Sequence, residues 1–225
     1  MAAVYDEDYF ERRGWPNYEY SQYWPNLVRK MVDMLPFPPK RVCDIGCAKG
    51  YVVHEFRKMG IEAYGVDISD YAISRSFEAT RPFLRKADLN KDKLPFDDES
   101  FDLLTCMAVI EHLIDVDHAL GEFNRVLRAG GIMVVTTPNP GEWDFDTDTD
   151  PTHTNIHDQS FWKEKFGSHG FILGEAVPLS RGRILRHFPS QKTLRRTAFR
   201  MRRWGDPNKG WGTGVYGFLV TKRRV

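Results

Sequence analysis

Arg41-Val42-Cys43-Asp44-Ile45-Gly46-Cys47-Ala48-Lys49-Gly50 decides how this chain is read, and Tyr51-Val52-Val53-His54-Glu55-Phe56 completes the unit. A short apolar run ends in an acid, two glycines bracket a tight turn, and helical character resumes. Glycine belongs where the backbone must take a positive φ or let another group come close. Strand, glycine turn and helix start, in that order, predict a nucleotide-type pocket at the carboxyl end of a parallel sheet. The spacing is not that of the dinucleotide fingerprint G-x-G-x-x-G. Here the acid precedes the first glycine and Ala48 stands between the two, leaving D-x-G-x-x-x-G. Alanine adds only one methyl at that position, so the turn should survive.

Working outward, strand and helix alternate. The first helix runs over roughly 50–59 and closes at Gly60. Ala63-Tyr64-Gly65-Val66-Asp67 predicts a second strand that ends in an acid about twenty residues beyond the turn, where nucleotide-binding βαβ units use an acid on the ribose hydroxyls. The competing role for Asp67, a helix N-cap, can be filled by Ser69 or Asp70 for a helix over 70–79. A third strand over 83–88 again ends in an acid, Asp88. A fourth passes through Leu103-Leu104-Thr105-Cys106; Glu111-His112 then begins a helix that ends at Arg128-Ala129-Gly130-Gly131. A fifth strand over 132–136 leads to Thr137-Pro138-Asn139. This alternation predicts a mostly parallel sheet with helices on both faces.

The pieces "DIGCAKG", "GVDIS", "KADL", "LPFDDESFDLL", "VIEHL" and "RVLRAGGIMVVTTPN" occur in sequential order over roughly 40–140. Together they resemble the class I S-adenosylmethionine-dependent methyltransferases, in particular the group containing ubiquinone-pathway O-methyltransferases and many sugar and natural-product enzymes. The resemblance implies an α/β, Rossmann-like three-layer sandwich with a mostly parallel seven-stranded sheet and one antiparallel strand near the C-terminus. It implies S-adenosylmethionine as cofactor and S-adenosylhomocysteine as product. Backbone of Gly46 and Cys47 would approach the amino-acid end and Asp67 would hold the ribose, with Asp44, Gly50 and Ile68 as further cofactor-binding residues. Asp88-Leu89 would meet the adenine, and backbone around Cys106 and Met107 the α-amino group.

Methyl transfer is a displacement at carbon, so in-line positioning of the acceptor provides much of the rate. A hydroxyl acceptor must also lose its proton, and histidine is suited to take it near neutral pH. His112 follows the fourth strand, while His153 and His157 lie in the acidic loop after the fifth, so these three are the candidate bases, His153 first. Each has a bland alternative, a backbone-bonded helix-start residue for His112 and a solvated turn for the loop pair. In ubiquinone-pathway and small-RNA 2′-O-methyltransferases an E-x-x-E-H motif at this helix supplies divalent-metal ligands. Here Glu111 and His112 match its last two positions, Ala108 replaces the first glutamate, and His153 or His157 could be a later ligand. Asp144, Asp146 or Asp148 could make up the missing oxygen donor. The favoured expectation is no metal.

The ends of the chain are less constrained. Residues 1–25 are rich in aromatic side chains, among them Tyr5, Tyr9, Phe10, Trp15, Tyr18 and Trp24, which either pack onto the domain or form a lid over the ligand. Leu27, Val28, Met31, Met34 and Leu35 recur at helical spacing until Pro36, so 1–38 reads as a cap on a methyltransferase domain over 39–225. Asp158 should cap a helix that begins there; a sixth strand follows over 171–177 and a last one over 215–220. Between them, about 180–212, lies a basic insertion in which Ser190 could cap a helix with Leu194, Ala198 and Met201 on one face. Its arginines suit either a solvated covering helix, an anionic small-molecule acceptor, or RNA or a membrane surface.

A chain of 225 residues fits one sizeable domain, and a net charge of +1 gives no global attraction to nucleic acid or membranes. Cys43, Cys47 and Cys106 form no C-x-x-C, which argues for reduced thiols and a cytoplasmic location. The acidic opening Tyr5-Asp6-Glu7-Asp8 does not fit a signal sequence, and no transmembrane segment is expected. The resulting expectation is O-methylation of a sugar or other metabolite hydroxyl. The alternatives are an RNA methyltransferase and a non-catalytic S-adenosylmethionine-binding regulatory protein.

Overall fold

Val42 and Cys43 are adjacent in the chain yet bury into different cores, and so do Leu103 and Leu104. Successive strand side chains point to opposite faces. Strands that are apolar at every position therefore need a layer on each side. The computed structural model has that arrangement; it describes residues 4–13, 18–140, 150–173, 198–201 and 215–223. The strands are β1 (Arg41–Ile45), β2 (Glu62–Asp67), β3 (Leu84–Lys86), β4 (Phe101–Met107), β5 (Leu127–Pro138), β6 (Phe171–Leu173), β7 (Ala198–Met201) and β8 (Val215–Lys222). The helices are α1 (Tyr23–Met34), α2 (Tyr51–Lys58), α3 (Asp70–Ser74), α4 (Val116–Val126) and α5 (Gln159–Ser168).

The sheet order is β3-β2-β1-β4-β5-β8-β6. Strands β1 to β5 pair in parallel, and β8 runs antiparallel to β5 and β6. The expected seven-stranded sheet with its antiparallel strand near the C-terminus is present, and β7 adds a short eighth strand. One core holds Val28, Met31, Val53 and Phe56 of α1 and α2, and the other holds Leu120, Phe123, Trp162 and Phe166 of α4 and α5. Cys43, Cys47 and Cys106 are buried free thiols. Among the described residues no helix is long and apolar enough to cross a membrane.

The chain departs from the sequence reading where local hydrogen bonds compete. Helix α3 ends at Ser74 rather than near 79. The Ser76 hydroxyl takes the Ile73 carbonyl, and Arg81 takes those of Ser74 and Ser76, which a longer helix would have used. Glu111 and His112 lie in a 3-10 turn, Ile110–His112, and not at the start of the following helix. Asn90 Oδ1 takes the N–H groups of Ile114 and Asp115, and the Asp115 side chain caps α4 by accepting from His118. Ala198 and Met201 belong to β7, which pairs with β8, and not to the helix expected from Ser190 onward. An open strand edge offers that segment backbone partners that outweigh its helical pattern. Ser190, Leu194 and the remainder of the basic insertion lie outside the described residues. Strand β3 is shorter than 83–88, although Ala87 N still bonds Asp67 O. The sixth strand is described only to Leu173. Asp158 caps α5 as expected, accepting from Phe161 N.

Strands β1 and β4 are neighbours, with β2 on one side and β5 on the other. The connections leave β1 in opposite directions, and the crevice above such a switch point is where open α/β sheets bind ligands.

Candidate active site

Positive φ angles at Gly46 (69°), Ala48 (47°) and Gly50 (73°) bend the chain sharply between β1 and α2. The Val66 carbonyl accepts from the N–H groups of Gly46 at 2.8 Å and Cys47 at 2.9 Å, pinning the turn to β2. A Cβ on Gly46 would lie 2.3 Å from Val109 Cγ2, so glycine is required by contact as well as by φ. Ala48 keeps the turn despite its methyl, and its N–H donates to Asp67 Oδ2 at 2.7 Å. The other oxygen, Oδ1, accepts from Ser69 N at 2.8 Å. Ser69 itself caps α3, so Asp67 is not the cap. Burial raises the Asp67 pKa, and the backbone donors partly offset it. The carboxylate, with about four acceptor sites, keeps room for a further hydroxyl donor. Asp44 is buried at the end of β1 and accepts from the Thr105 hydroxyl at 2.6 Å. Burial, with the nearby charge of Asp67, pushes its pKa up to about 7.

These groups open onto one cavity. Asp44, Gly46, Ala48, Asp67, Ile68, Asp88, Leu89, Met107 and His112 all line it. Cys47, Gly50 and Cys106 are not among its walls. Cys47 and Gly50 shape the turn beneath it, and Cys106 faces the α4 core. Ala108 turns the chain outward after β4 with φ 53°, its N–H shared between the Thr136 carbonyl and hydroxyl. Asp88 Oδ1 accepts from Asn90 N and Nδ2 at 3.1 and 3.0 Å. Burial pushes the Asp88 carboxyl up, but Asn90 and Lys91 outweigh it and hold its pKa below the usual value.

The aromatic arm both packs and covers. Phe10, Tyr18 and Trp24 are buried in the core, and with Tyr5, Tyr9 and Tyr23 they also line the cavity. Lys49, inside the glycine turn, is buried to 3% exposure, with Nζ 3.2 Å from Glu11 and 3.0 Å from Glu19. The sequence reading assigned nothing to Lys49 or Asn90. No local pattern marks Lys49, whose partners come from the arm, or the reach of Asn90 from Asp88 beside it to Ile114 and Asp115.

His112 reaches the cavity from the turn after β4, with Nδ1 2.7 Å from the Thr152 hydroxyl. The returning loop is stitched to that turn by Thr154 N and Asn155 N, both 2.9 Å from Glu111 O. His153 stands beside His112, ring centroids 4.7 Å apart, but is not one of the cavity walls. His157 stacks on Phe161 with centroids 3.7 Å apart and lines a separate shallow depression with Pro140 and Glu164. One ligand atom each from Glu111, His112 and His153 lie within 4.8 Å of one another, near enough to hold a cation. Asp144, Asp146 and Asp148 lie outside the described residues.

Residues 17–196 match a family model described as a methyltransferase domain. A ubiquinone biosynthesis O-methyltransferase of Rhodopseudomonas palustris is 34% identical over 110 residues, covering 44% of this chain and 40% of that protein. The protein of the same name from a Bradyrhizobium strain is 35% identical over 101 residues, with the same shares covered. The chain thus spans less than half the length of these curated relatives. Among solved structures, an S-adenosylmethionine-dependent methyltransferase from Archaeoglobus fulgidus superposes with a TM-score of 0.61 at 18% identity, over 88% of this chain and 92% of that one. At that identity the likeness is one of fold.

Proposed function

The chain belongs to the methyltransferase-domain family, and from that premise we propose that it transfers a methyl group from S-adenosylmethionine to a hydroxyl of a small molecule, with His112 as general base. The observation that carries this reading is the single cavity walled by Asp44, Asp67, Asp88 and His112 together. Asp67 would hold the ribose hydroxyls and Asp88 the adenine edge. Asp44 would lie toward the cationic amino-acid end. The relatives named as O-methyltransferases support oxygen as the acceptor atom. The rings of Tyr5, Tyr9, Phe10 and Trp24 suit an acceptor with a flat or apolar face.

In the reaction the acceptor oxygen attacks the methyl carbon in line. The new O–C bond forms as the C–S bond breaks, and its electron pair stays on sulfur as a neutral thioether. The hydroxyl proton passes to His112, which becomes imidazolium. His112 is preferred to His153 because it is the histidine on the cavity wall. His157, in its separate depression, is less suited to the role.

The test is transfer of labelled methyl into fractionated metabolites and RNA. Label should enter a small-molecule fraction, and Asp67→Ala should weaken cofactor binding about tenfold or more, the scale of losing a hydrogen bond to a charged group. Label in RNA would favour the basic insertion as the acceptor site. Cofactor binding with no transfer to any fraction would favour a regulatory protein.

The cluster of Glu111, His112 and His153 supports a second reading. A carboxylate and two imidazoles fit a divalent cation. When bound, it would polarise the acceptor oxygen. The base reading predicts unchanged transfer after exhaustive chelation, whereas loss restored by magnesium or zinc would support the cation.

A further inference from the structure

A carboxylate, a hydroxyl and an imidazole are joined in the loop that follows β5. Asp150 Oδ1 accepts from Thr152 N at 2.9 Å and from the Thr152 hydroxyl at 2.5 Å. Its Oδ2 accepts from the Tyr9 hydroxyl at 2.9 Å. Burial pushes the Asp150 carboxyl up, but Thr152, Tyr9 and the nearby His112 outweigh it and hold its pKa below the ordinary value. An ionised carboxylate only accepts. Thr152 has one hydroxyl proton, and Asp150 holds it. The same oxygen lies 2.7 Å from His112 Nδ1, so in that bond it must be the acceptor and Nδ1–H the donor. The Tyr5 hydroxyl also meets the Thr152 side chain. A neutral imidazole with its proton on Nδ1 carries the acceptor lone pair on Nε2.

We propose that Asp150 and Thr152 are positioning residues that fix His112 in the Nδ1–H tautomer and so make Nε2 the nitrogen that takes the acceptor's proton. The inference rests on the O-methyl-transfer reading and deepens it. It also gives the arm a part in the chemistry. Tyr9 completes the coordination of Asp150, so arm and loop must both be in place before the bonds are complete. The proton balance is that of the transfer itself: as the O–C bond forms and the C–S pair stays on sulfur, the hydroxyl proton moves to Nε2. The resulting imidazolium keeps its Nδ1–H on Thr152, whose own hydroxyl proton is held by the Asp150 carboxylate.

Nitrogen-15 spectra of the histidine rings in the full chain, recorded with no acceptor present, test this directly. The His112 signals are identified by their loss in His112→Gln. The expected result is a protonated Nδ1 and an unprotonated Nε2. In Asp150→Ala the Thr152 proton is released to turn toward Nδ1, so the population should shift to the Nε2–H form. Thr152→Val should abolish the preference, and Thr152→Ser should restore it. An Nε2–H form in the unaltered protein overturns the proposal. So does a tautomer that stays put in folded Asp150→Ala and Thr152→Val. A failure of the O-methyl-transfer reading would appear in the transfer assay and not in these spectra.

Discussion

Asp44 shows how one residue couples folding to ligand. Its carboxyl is buried at the end of β1 with the Thr105 hydroxyl as donor, and its pKa moves from 3.8 to about 7, chiefly through burial. The folded chain therefore binds more protons than the unfolded chain across that interval. The stabilisation associated with the protonated form is complete below about pH 4 and is lost as pH rises through about 7. Asp44→Asn keeps an oxygen for Thr105 and removes the charge, so the ligand-free protein should gain stability at pH 8, with an upper bound of about 4 kcal/mol set by the rise from 3.8 to about 7. Thermal unfolding at pH 5 and pH 8 checks this: the gain should appear at pH 8 and shrink at pH 5. A cationic ligand beside Asp44 reverses the balance, because it favours the ionised carboxylate. Binding of S-adenosylmethionine, followed calorimetrically, should tighten from pH 6 to pH 8 with proton release. Most of that slope should vanish in Asp44→Asn.

At the scale of elements, the arm and the glycine turn act as a pair. Lys49 is held by Glu11 and Glu19, which lie 38 and 30 residues before it. The amine is buried while the two carboxylates it bridges are more exposed, so Lys49→Ala should loosen the arm from the glycine turn. It should also raise the rate of limited proteolysis within residues 4–22 while the sheet core stays protected. Equal cleavage rates in the two proteins would show that this bridge does not hold the arm. The same comparison explains what the sequence made legible. Strand, turn and strand-end acids could be read because residue type and spacing within a short stretch mark them. The β1 turn, Asp67, Asp88 and the Asp158 cap are all of that kind, although Val66 and Ala48, about twenty residues away, hold the first two in place. Lys49, Asn90 and the Asp150–Thr152–His112 chain join segments far apart in sequence, and no spacing rule brings them together. The helix expected from Ser190 onward gives way to strand at Ala198–Met201 for a related reason. Its partner, β8, was needed to see that the segment completes a strand edge.

For the whole molecule, the topology concentrates chemistry at one end of the sheet. The carboxyl ends of β1, β2 and β4 supply Asp44, Asp67 and Met107, and the segments beyond β3 and β4 supply Asp88 and His112. Rings of the arm line the same cavity, so the acids proposed to hold the cofactor and the proposed base share one space. Such an arrangement separates holding the donor from moving the proton, and that separation can be measured. The direct test is labelled methyl transfer by the unaltered protein and by His112→Gln, with S-adenosylmethionine affinity measured on the same samples. The account predicts equal affinity within about a factor of three and transfer slowed roughly 100-fold to 10,000-fold in His112→Gln, the range a general base contributes. Transfer by His112→Gln at the unaltered rate, or no transfer by the unaltered protein to any small hydroxyl acceptor, would contradict it.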